Sequence, residues 1–224
     1  MVNRNKYLEI VKQLQGKIVL VAVSKTKPLE AISELYELGH RDFGENYVQE
    51  LVDKQVSLPN DIRWHFIGHL QSNKVKYIAS FVHLIHGIDS LKLLKEVNKQ
   101  AEKNQRIIDV LLQVHIAREE TKFGFDANEL DEILNDEKSL DGLKNIRIAG
   151  FMGMASFSSQ QDLIREEFRT LQTIFKKYKE NSNGNKPSNF QPSILSMGMS
   201  SDYLIAIEEG STMVRIGSLL FGER

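Results

Sequence analysis

The chain has 224 residues, 41% of them hydrophobic and 26% charged, and its formal net charge at pH 7 is −1. This near-neutral balance argues against a general surface for nucleic acid or acidic membranes, so neither is an expected partner. Cysteine is absent, which excludes disulfides, Cys-based zinc sites and a thiol nucleophile and fits a cytoplasmic protein. No apolar run approaches the roughly 20 residues of a transmembrane helix, and the N-terminus lacks the apolar core of a signal peptide.

Short apolar segments rich in β-branched residues alternate with segments of helical periodicity along the chain. The predicted strands are Lys17–Lys25, Arg41–Asn46, Arg63–Gly68, Leu84–Ile88, Asp109–Ile116, Ile146–Met154, Ser193–Met199 and Met213–Phe221. The predicted helices are Asn3–Leu14, Pro28–Leu38, Tyr47–Gln55, Asn73–Ala79, Ser90–Lys103, Ala127–Asn135, Gln160–Tyr178 and Asp202–Glu209. The polar, turn-rich segment Asn181–Pro192 is predicted to be a surface loop.

Eight strands with helices between them favour a single (β/α)8 TIM barrel, an α/β fold, over the alternative of a doubly wound open sheet. The composition shows no break that would mark a boundary, so one domain over residues 1–224 is expected. No heptad pattern or apolar stripe indicates a dimer, and a monomer is therefore the default expectation.

The first predicted strand ends in a lysine that has the position of a functional residue. Its segment is apolar on both faces, as in a buried parallel strand, and Lys25 shares a face with Val23 and Val21. Pro28 suits the first turn of the next helix, so Lys25 lies at the carboxyl end of a strand, where barrels place their chemistry. A lysine that is desolvated, or close to a cation such as Lys27, attacks carbonyl groups. Lysines just past strands are also common on ordinary surfaces.

Polar residues follow the seventh and eighth predicted strands, where barrels often bind phosphate. Ser200 and Ser201 offer hydroxyls and backbone amides at the start of a helix. Gly217 and Ser218 allow the backbone to approach a ligand closely, and Arg215 brings a fixed positive charge. The alternative is an ordinary helix cap and a tight closure of the barrel. Taken together, the two segments predict a phosphate site.

Two further segments carry polar residues. Asn46 ends the second predicted strand, where its amide suits either a contact with a ring oxygen or a role in the turn. His65 and His69 suggest a zinc site, but residues four apart on a strand are about 13 Å from each other, and no third ligand is evident. The sequence contains no Walker A, GxGxxG or HExxH motif.

A lysine able to form a Schiff base, opposite a phosphate site at the mouth of a barrel, predicts pyridoxal 5′-phosphate (PLP) as the cofactor. Five segments also resemble the YggS/PROSC family, the PLP homeostasis proteins also called PLPBP, in order and at comparable spacings. They are AVSKTKP at Ala22–Pro28, FGENYVQE at Phe43–Glu50, WHFIGHLQSNK at Trp64–Lys74, LSMGMSSD at Leu195–Asp202 and GSTMVRIGSLLFG at Gly210–Gly222. The resemblance extends from about Lys17 to the end of the chain.

The resemblance implies a barrel similar to the N-terminal domain of alanine racemase and of other fold-type III PLP proteins. It implies that PLP is held as a Schiff base on Lys25. It also implies that the phosphate and the ring lie against Ser200, Ser201, Arg215, Gly217 and Ser218. Family members bind PLP and buffer or deliver it, which implies transient contact with apo PLP enzymes. The chain departs from the family at His69, where many members have proline, and matches only loosely at Thr121–Phe125.

The residues themselves favour a carrier, with no catalytic residue, over an amino-acid enzyme. A PLP racemase needs an acid or base on each face of the cofactor, and alanine racemase takes the second from an extra C-terminal domain for which this chain has no room. A cation such as Arg215 beside the ring disfavours protonation of the pyridine nitrogen and weakens the cofactor as an electron sink. Two alternatives remain: a PLP-dependent racemase or lyase, and a Schiff-base enzyme of the aldolase type without PLP.

Overall fold

The structure, a computed structural model, describes residues 2–118, 123–135, 140–180 and 188–223. The strands are β1 Val19–Val23, β2 Asp42–Glu45, β3 Arg63–Phe66, β4 Leu84–Ile88, β5 Ile108–Gln113, β6 Ile146–Met152, β7 Phe190–Ser196 and β8 Met213–Ile216. The helices in the described ranges are α1 Arg4–Leu14, α2 Leu29–Glu37, α3 Val48–Ser57, α4 Val75–Ile78, α5 Leu91–Lys103, α6 Ala127–Asn135, α7 Gln161–Glu180, α8 Tyr203–Glu208 and α9 Ser218–Phe221. Each of these helices is too short or too polar to cross a membrane.

The eight strands are parallel and pair in chain order to form a closed barrel. Closure is made by β1 and β8, whose register places Val21 opposite Arg215. The predicted (β/α)8 barrel is therefore confirmed, and the alternative of an open doubly wound sheet is wrong. Because all strands run the same way, their carboxyl ends meet at one rim, where segments distant in sequence come together.

The barrel has an outer and an inner layer of side chains. On β1, Leu20 and Ala22 face outward into the large core between strands and helices. The alternation of side chains along a strand turns Val21 inward. A smaller inner cluster is formed by Val21, Leu84, Leu111, Ala149, Met152 and Met213. The apolar runs seen in the sequence thus contribute side chains to both layers, and this fixes the direction of the residues that follow each strand.

The first helix packs against the last one. The side chain of Asn3 caps α1 by accepting a hydrogen bond from the Lys6 amide, at 3.1 Å. The backbone N–H of Asn3 donates to the carbonyl of Leu220 in α9, at 2.8 Å. The two ends of the described chain therefore lie side by side, next to the β1–β8 seam.

The predicted bounds of the seventh and eighth strands are wrong, and of the other strands β4 alone has the predicted bounds at both ends. The eighth strand ends at Ile216, and Ser218–Phe221 is a helical turn, because the ladder stops at Gly217 and the apolar side chains beyond it pack inward. The seventh strand begins at Phe190 and ends at Ser196, so it takes in the end of the predicted loop. Residues 181–187 of that loop, and residues 121 and 122 of the loosely matching family segment, lie outside the described residues.

Candidate functional site

A cavity of about 560 Å³ opens at the carboxyl ends of the strands. The cofactor-binding residues predicted from the sequence all line it: Lys25, Asn46, Ser200, Ser201, Arg215, Gly217 and Ser218. They follow or end four different strands, so closure of the barrel is what brings them together. What each of them binds stays a prediction.

Lys25 lies two residues beyond the end of β1 and is half-buried. Both of its neighbours are held in place. The hydroxyl of Ser24 donates to Glu45 Oε1, and the backbone N–H of Thr26 donates to Glu50 Oε1, each at 2.6 Å. Thr26 has a φ of 62°, which is rare for a β-branched residue. Because the backbone does not favour this turn by itself, the two carboxylates stabilise it.

A buried cation organises the same turn from behind. Lys54 on α3 donates to the Ser24 carbonyl at 2.8 Å, to Glu45 Oε1 at 2.8 Å and to Glu50 Oε1 at 2.6 Å. The side chain of Lys54 is 7% exposed and that of Glu45 is fully buried, so these charges compensate each other away from water. Burial raises the pKa of the Glu45 carboxyl, and the opposing effects of Lys54 and Ser24 only partly offset it.

Lys27, which the sequence offers as a cationic neighbour of Lys25, also lines the cavity. Its amine donates to the carbonyls of Phe221, Gly222 and Glu223 at 3.1, 3.2 and 3.2 Å. These carbonyls follow or end α9, so Lys27 neutralises the negative end of that helix. An effect of Lys27 on the reactivity of Lys25 stays a prediction.

Asn46 directly follows β2, and its side-chain oxygen Oδ1 is buried without a hydrogen-bond partner among the residues that the structure describes. A buried polar oxygen without a partner is costly, and such atoms mark places where a ligand or water completes the structure. The backbone of Gly68 passes very close: a Cβ on Gly68 would lie 2.4 Å from the Asn46 carbonyl oxygen. Asn46 is thus closely packed against the turn after β3 on one side and lines the cavity on the other.

Arg215 on β8 is the fixed cation of the inner wall, with 4% of the residue exposed. Its Nη1 donates to Ser196 Oγ at 2.6 Å and its Nη2 to the Gly153 carbonyl at 3.1 Å. Burial lowers the pKa of Arg215 to about 10, although the Asp202 carboxylate acts in the opposite direction. The guanidinium therefore stays charged at neutral pH.

The serine-rich wall is built from the turn after β7 and the turn after β8. The backbone N–H of Gly217 donates to Ser200 Oγ at 3.2 Å, which joins the two turns. Asp202, not Ser200 or Ser201, is the N-cap residue of α8, and its Oδ1 accepts from the Met199 amide at 2.5 Å. This arrangement presents hydroxyls from both turns to the cavity.

Sequence reasoning missed the apolar part of the wall. Ile67, Met154, Phe157 and Met199 line the cavity beside the polar residues. Phe157 is 91% exposed, although it is a large aromatic residue. Nothing in the pattern of these residues distinguishes them from ordinary core positions. The one available sequence indication is that each follows a predicted strand or ends one.

The two histidines considered for zinc lie in different surroundings. His65 is buried inside the barrel, where its Nε2 lies 3.1 Å from Asp42 Oδ1. His69 is on the surface, where its Nδ1 lies 3.0 Å from Asp89 Oδ2 and its ring stacks on Phe123. Among the residues that the structure describes, no three His, Cys, Asp or Glu side chains form a group able to hold a metal ion.

The wall of the cavity therefore combines a half-buried amine, a buried guanidinium, a side-chain amide and several hydroxyls. An amine binds an aldehyde covalently, and a guanidinium with hydroxyls and backbone amides suits an anionic or aromatic acceptor group. The arrangement fits a small aromatic aldehyde that carries a phosphate group.

Comparisons with known proteins agree in fold and in sequence. A family model, "Alanine racemase, N-terminal domain", matches residues 4–224. The pyridoxal phosphate homeostasis protein of Aquifex aeolicus is 43% identical over 206 residues, which are 92% of this chain and 86% of that protein.

Solved structures show the same likeness. The structure of PipY from Synechococcus elongatus without PLP has a TM-score of 0.89 and 33% sequence identity to this chain. The structure of PipY with PLP bound has a TM-score of 0.85 and 32% sequence identity. Both alignments cover 97% of this chain and 99% of the PipY chain. Alanine racemase of Clostridium difficile has a TM-score of 0.78 and 16% sequence identity to this chain. The alignment covers 99% of this chain and 56% of the alanine racemase chain. At this level of identity the similarity concerns the fold alone.

Proposed function

The chain belongs to the family of pyridoxal phosphate homeostasis proteins, and from this premise we propose that it binds PLP in the barrel-mouth cavity and buffers or delivers it in the cell. The observation that carries the proposal is the convergence of Lys25, Arg215, Asn46 and the serine-rich wall on one cavity. The similarity to PipY, whose solved structure has PLP bound, supports the same cofactor.

Each part of the cofactor has a matching group. The Lys25 amine binds the aldehyde, and Ser200, Ser201, Gly217 and Ser218 hold the phosphate. Two further residues, Asn46 with its unpartnered oxygen and Arg215 with its buried charge, lie against the ring. When bound, PLP supplies an aldehyde that reacts with amines and a ring that delocalises charge.

We infer a carrier without catalytic residues rather than an amino-acid enzyme. The charged guanidinium of Arg215 cannot donate and accept a proton in turn at neutral pH, and a fixed cation near the ring opposes protonation of its nitrogen. The names of the relatives, which refer to homeostasis, support the same choice. The match to the N-terminal domain of alanine racemase favours the alternative, a weak racemase or lyase.

The proposal extends to organisation and partners. We propose a single-domain, monomeric, cytoplasmic protein that contacts apo PLP enzymes transiently and binds neither nucleic acid nor membranes. Sedimentation equilibrium tests the first part: a monomer has a mass of 25.6 kDa, and twice that value contradicts it.

The visible absorption spectrum tests PLP binding most directly. We expect added PLP to give the protein a yellow band that borohydride removes, with a pyridoxyl group then found on Lys25 by mass spectrometry. Lys25→Ala should lose the band and the modification. Lys17→Ala is the matched control, since Lys17 is an exposed lysine in the turn before the opposite, amino-terminal end of the same strand, and it should keep both. A wild-type protein that takes up no PLP contradicts the proposed function.

Transfer to an apo enzyme separates the carrier from the enzyme. We expect the loaded protein to restore activity to an apo PLP enzyme in the presence of a phosphatase that destroys free PLP. Restoration no faster than with free PLP argues against delivery. Turnover of an amino acid that is abolished in Lys25→Ala would instead establish the enzymatic alternative.

A further inference from the structure

A row of hydrogen-bonded polar side chains crosses the inside of the barrel below the cavity. From the cavity downward, Arg215 Nη1 lies 2.6 Å from Ser196 Oγ, and Ser196 Oγ lies 3.2 Å from His86 Nδ1. His86 Nε2 lies 2.9 Å from His65 Nδ1, and His65 Nε2 lies 3.1 Å from Asp42 Oδ1. The row thus uses one residue from each of five strands, β8, β7, β4, β3 and β2.

The row has a guanidinium at one end and a carboxylate at the other, and these two groups determine which atom donates in each hydrogen bond of the row. A guanidinium only donates, so the Ser196 hydroxyl accepts from Arg215 and must give its own proton elsewhere. Among the described residues, His86 Nδ1 is its other hydrogen-bond partner and must therefore be the acceptor. His86 then carries its proton on Nε2 and donates to His65 Nδ1. His65 in turn donates from Nε2 to the Asp42 carboxylate, which only accepts.

This placement of the protons leaves every polar group of the row with a hydrogen bond, which matters because the row is buried. Ser196 and His86 are fully buried and His65 is 1% exposed, so a missing bond would cost the full desolvation of the group. His86 faces His65 on β3, Ser196 on β7 and Arg215 on β8, with His83 just before its own strand. Burial first, and then the neighbouring His65, Arg215 and His83, lower the pKa of His86 well below its ordinary value.

Asp42, at the end of the row farthest from the cavity, is held by an ion pair. Asp42 accepts from Arg63 Nε at 2.7 Å and from Arg63 Nη2 at 2.5 Å, a bidentate pair at the opposite end of the barrel from the cavity. Hydrogen bonds from Arg63 and His65 hold the pKa of Asp42 far below its usual range against the opposing effect of burial. The row therefore begins at a permanent cation and ends at a permanent anion.

We propose that His86 is a positioning residue for the cofactor site: through Ser196 it fixes the guanidinium of Arg215, and through His65 it is itself anchored to Asp42. Among the described residues, the side chain of Arg215 has two hydrogen-bond partners, Ser196 Oγ and the Gly153 carbonyl. Loss of the row below Ser196 leaves the serine hydroxyl free to rotate, so the guanidinium loses its defined orientation. The consequence for PLP rests on the proposed function; the placement of Arg215 does not.

Nitrogen NMR of the protein without cofactor tests the row itself. In a histidine-labelled sample, we expect His86 and His65 both to carry the proton on Nε2, with His86 unchanged between pH 8 and pH 6. A proton on Nδ1 of His86, or a charge on His86 near pH 6.5, would overturn the inference. This measurement needs neither a variant nor PLP.

Variants test the positioning. In His86→Leu, we expect the guanidinium protons of Arg215 to exchange with water at least about tenfold faster, the PLP dissociation constant to rise about tenfold and the absorption band to shift; a tenfold change corresponds to about 1.4 kcal/mol. His86→Asn retains an amide oxygen near the position of Nδ1 and should restore Ser196, and with it most of the affinity and the band. His40→Leu removes another buried histidine, whose Nε2 lies 2.8 Å from the backbone carbonyl of Asp42 and contacts no side chain named in the row. Since the Asp42 carboxylate keeps its partners, this variant should leave exchange at Arg215 and PLP affinity unchanged.

Each outcome has one meaning. If His86→Leu folds and has wild-type exchange at Arg215, the positioning role is wrong, whatever the behaviour of PLP. If the wild-type protein binds no PLP, the proposed function fails, and exchange at Arg215 still decides the role of His86. If His86→Leu does not fold, His86→Asn and the nitrogen shifts decide it.

Discussion

Lys54 is the single residue on which the geometry of the turn around Lys25 depends most. It donates three hydrogen bonds, two of them to carboxylates, and it is the cation that compensates the fully buried Glu45. We expect Lys54→Met to lower the free energy of unfolding by about 3–5 kcal/mol, because it leaves a buried carboxylate unpaired. Urea unfolding measures this.

An exposed ion pair provides the control for Lys54. Lys177 pairs with Asp131 at 2.7 Å, but its side chain is 51% exposed, so Lys177→Met should change stability by about 1 kcal/mol or less. Adding Glu45→Gln to Lys54→Met should recover part of the loss, since the unpaired charge is removed. Equal unfolding midpoints for Lys54→Met and Lys177→Met would contradict the prediction.

Two buried histidines make stability depend on pH. Burial lowers the pKa of His86 and of His40, so below about pH 6.5 the unfolded chain binds protons that the native protein does not. Their contribution is complete above about pH 6.5 and decreases as the pH falls below it. We expect the urea midpoint to fall between pH 7 and pH 5, and to fall less steeply in His86→Asn. A midpoint independent of pH over this range would refute this.

The sequence indicated the charged residues that line the cavity but not the residues that hold them in place. Lys25 is recognisable because a charged side chain at the end of an apolar strand is conspicuous, and Arg215 because it is a charged residue within an apolar segment. His86 and Ser196 lie within strands, where a single polar residue does not show whether it faces the barrel interior. Glu45, like Asn46, is placed by the sequence at the end of the second strand, but its pairing with Lys54 could not be predicted because it depends on how α3 packs against β2.

Among the elements, the turn after β3 controls the end of β2. A Cβ on Gly68 would lie 2.4 Å from the carbonyl oxygen of Asn46 and 2.9 Å from its Cα, which are distances that require the backbone to move. We expect Gly68→Ala to displace Asn46 from the cavity, to lower PLP affinity and to destabilise the protein by about 1–3 kcal/mol. Titration with PLP and urea unfolding measure the two effects.

A glycine with free space around it serves as the control for Gly68. A Cβ on Gly142 meets no atom within 4 Å, so Gly142→Ala should keep both PLP affinity and stability. Unchanged PLP affinity in Gly68→Ala would show that the position of Asn46 does not matter for binding.

The alternation of strands and helices could be predicted because each segment has its own hydrophobic period, and α6 and β4 even begin and end at the predicted residues. The end of β8 could not be predicted from the sequence. Ser218–Phe221 has the same apolar composition as a strand, and only the packing of Leu220 and Phe221 against the rest of the barrel makes it a helical turn. Local pattern is ambiguous for short apolar runs, and tertiary contacts decide them.

For the whole molecule, PLP binding should appear as added thermal stability. A ligand that binds only the native state at 100 times its dissociation constant stabilises it by about 2.7 kcal/mol. For a chain of this size, this predicts a rise in the melting temperature of about 5–10 °C. Calorimetry with and without PLP measures it. Lys25→Ala should show a clearly smaller rise, and pyridoxal, which lacks the phosphate, tests the serine-rich wall. No rise for the wild-type protein would contradict binding.

The hydrogen bond from the Asn3 amide to the Leu220 carbonyl has a consequence for protein engineering. Since residues 3 and 220 are hydrogen-bonded beside the barrel seam, a short peptide can join the two ends of the described chain, of which Gly222 and Glu223 lie at the edge of the cavity. The barrel then becomes a ring of eight similar units, which can be opened at another connection by circular permutation. The order in which the strands are synthesised is thus separable from the closed shape that they form.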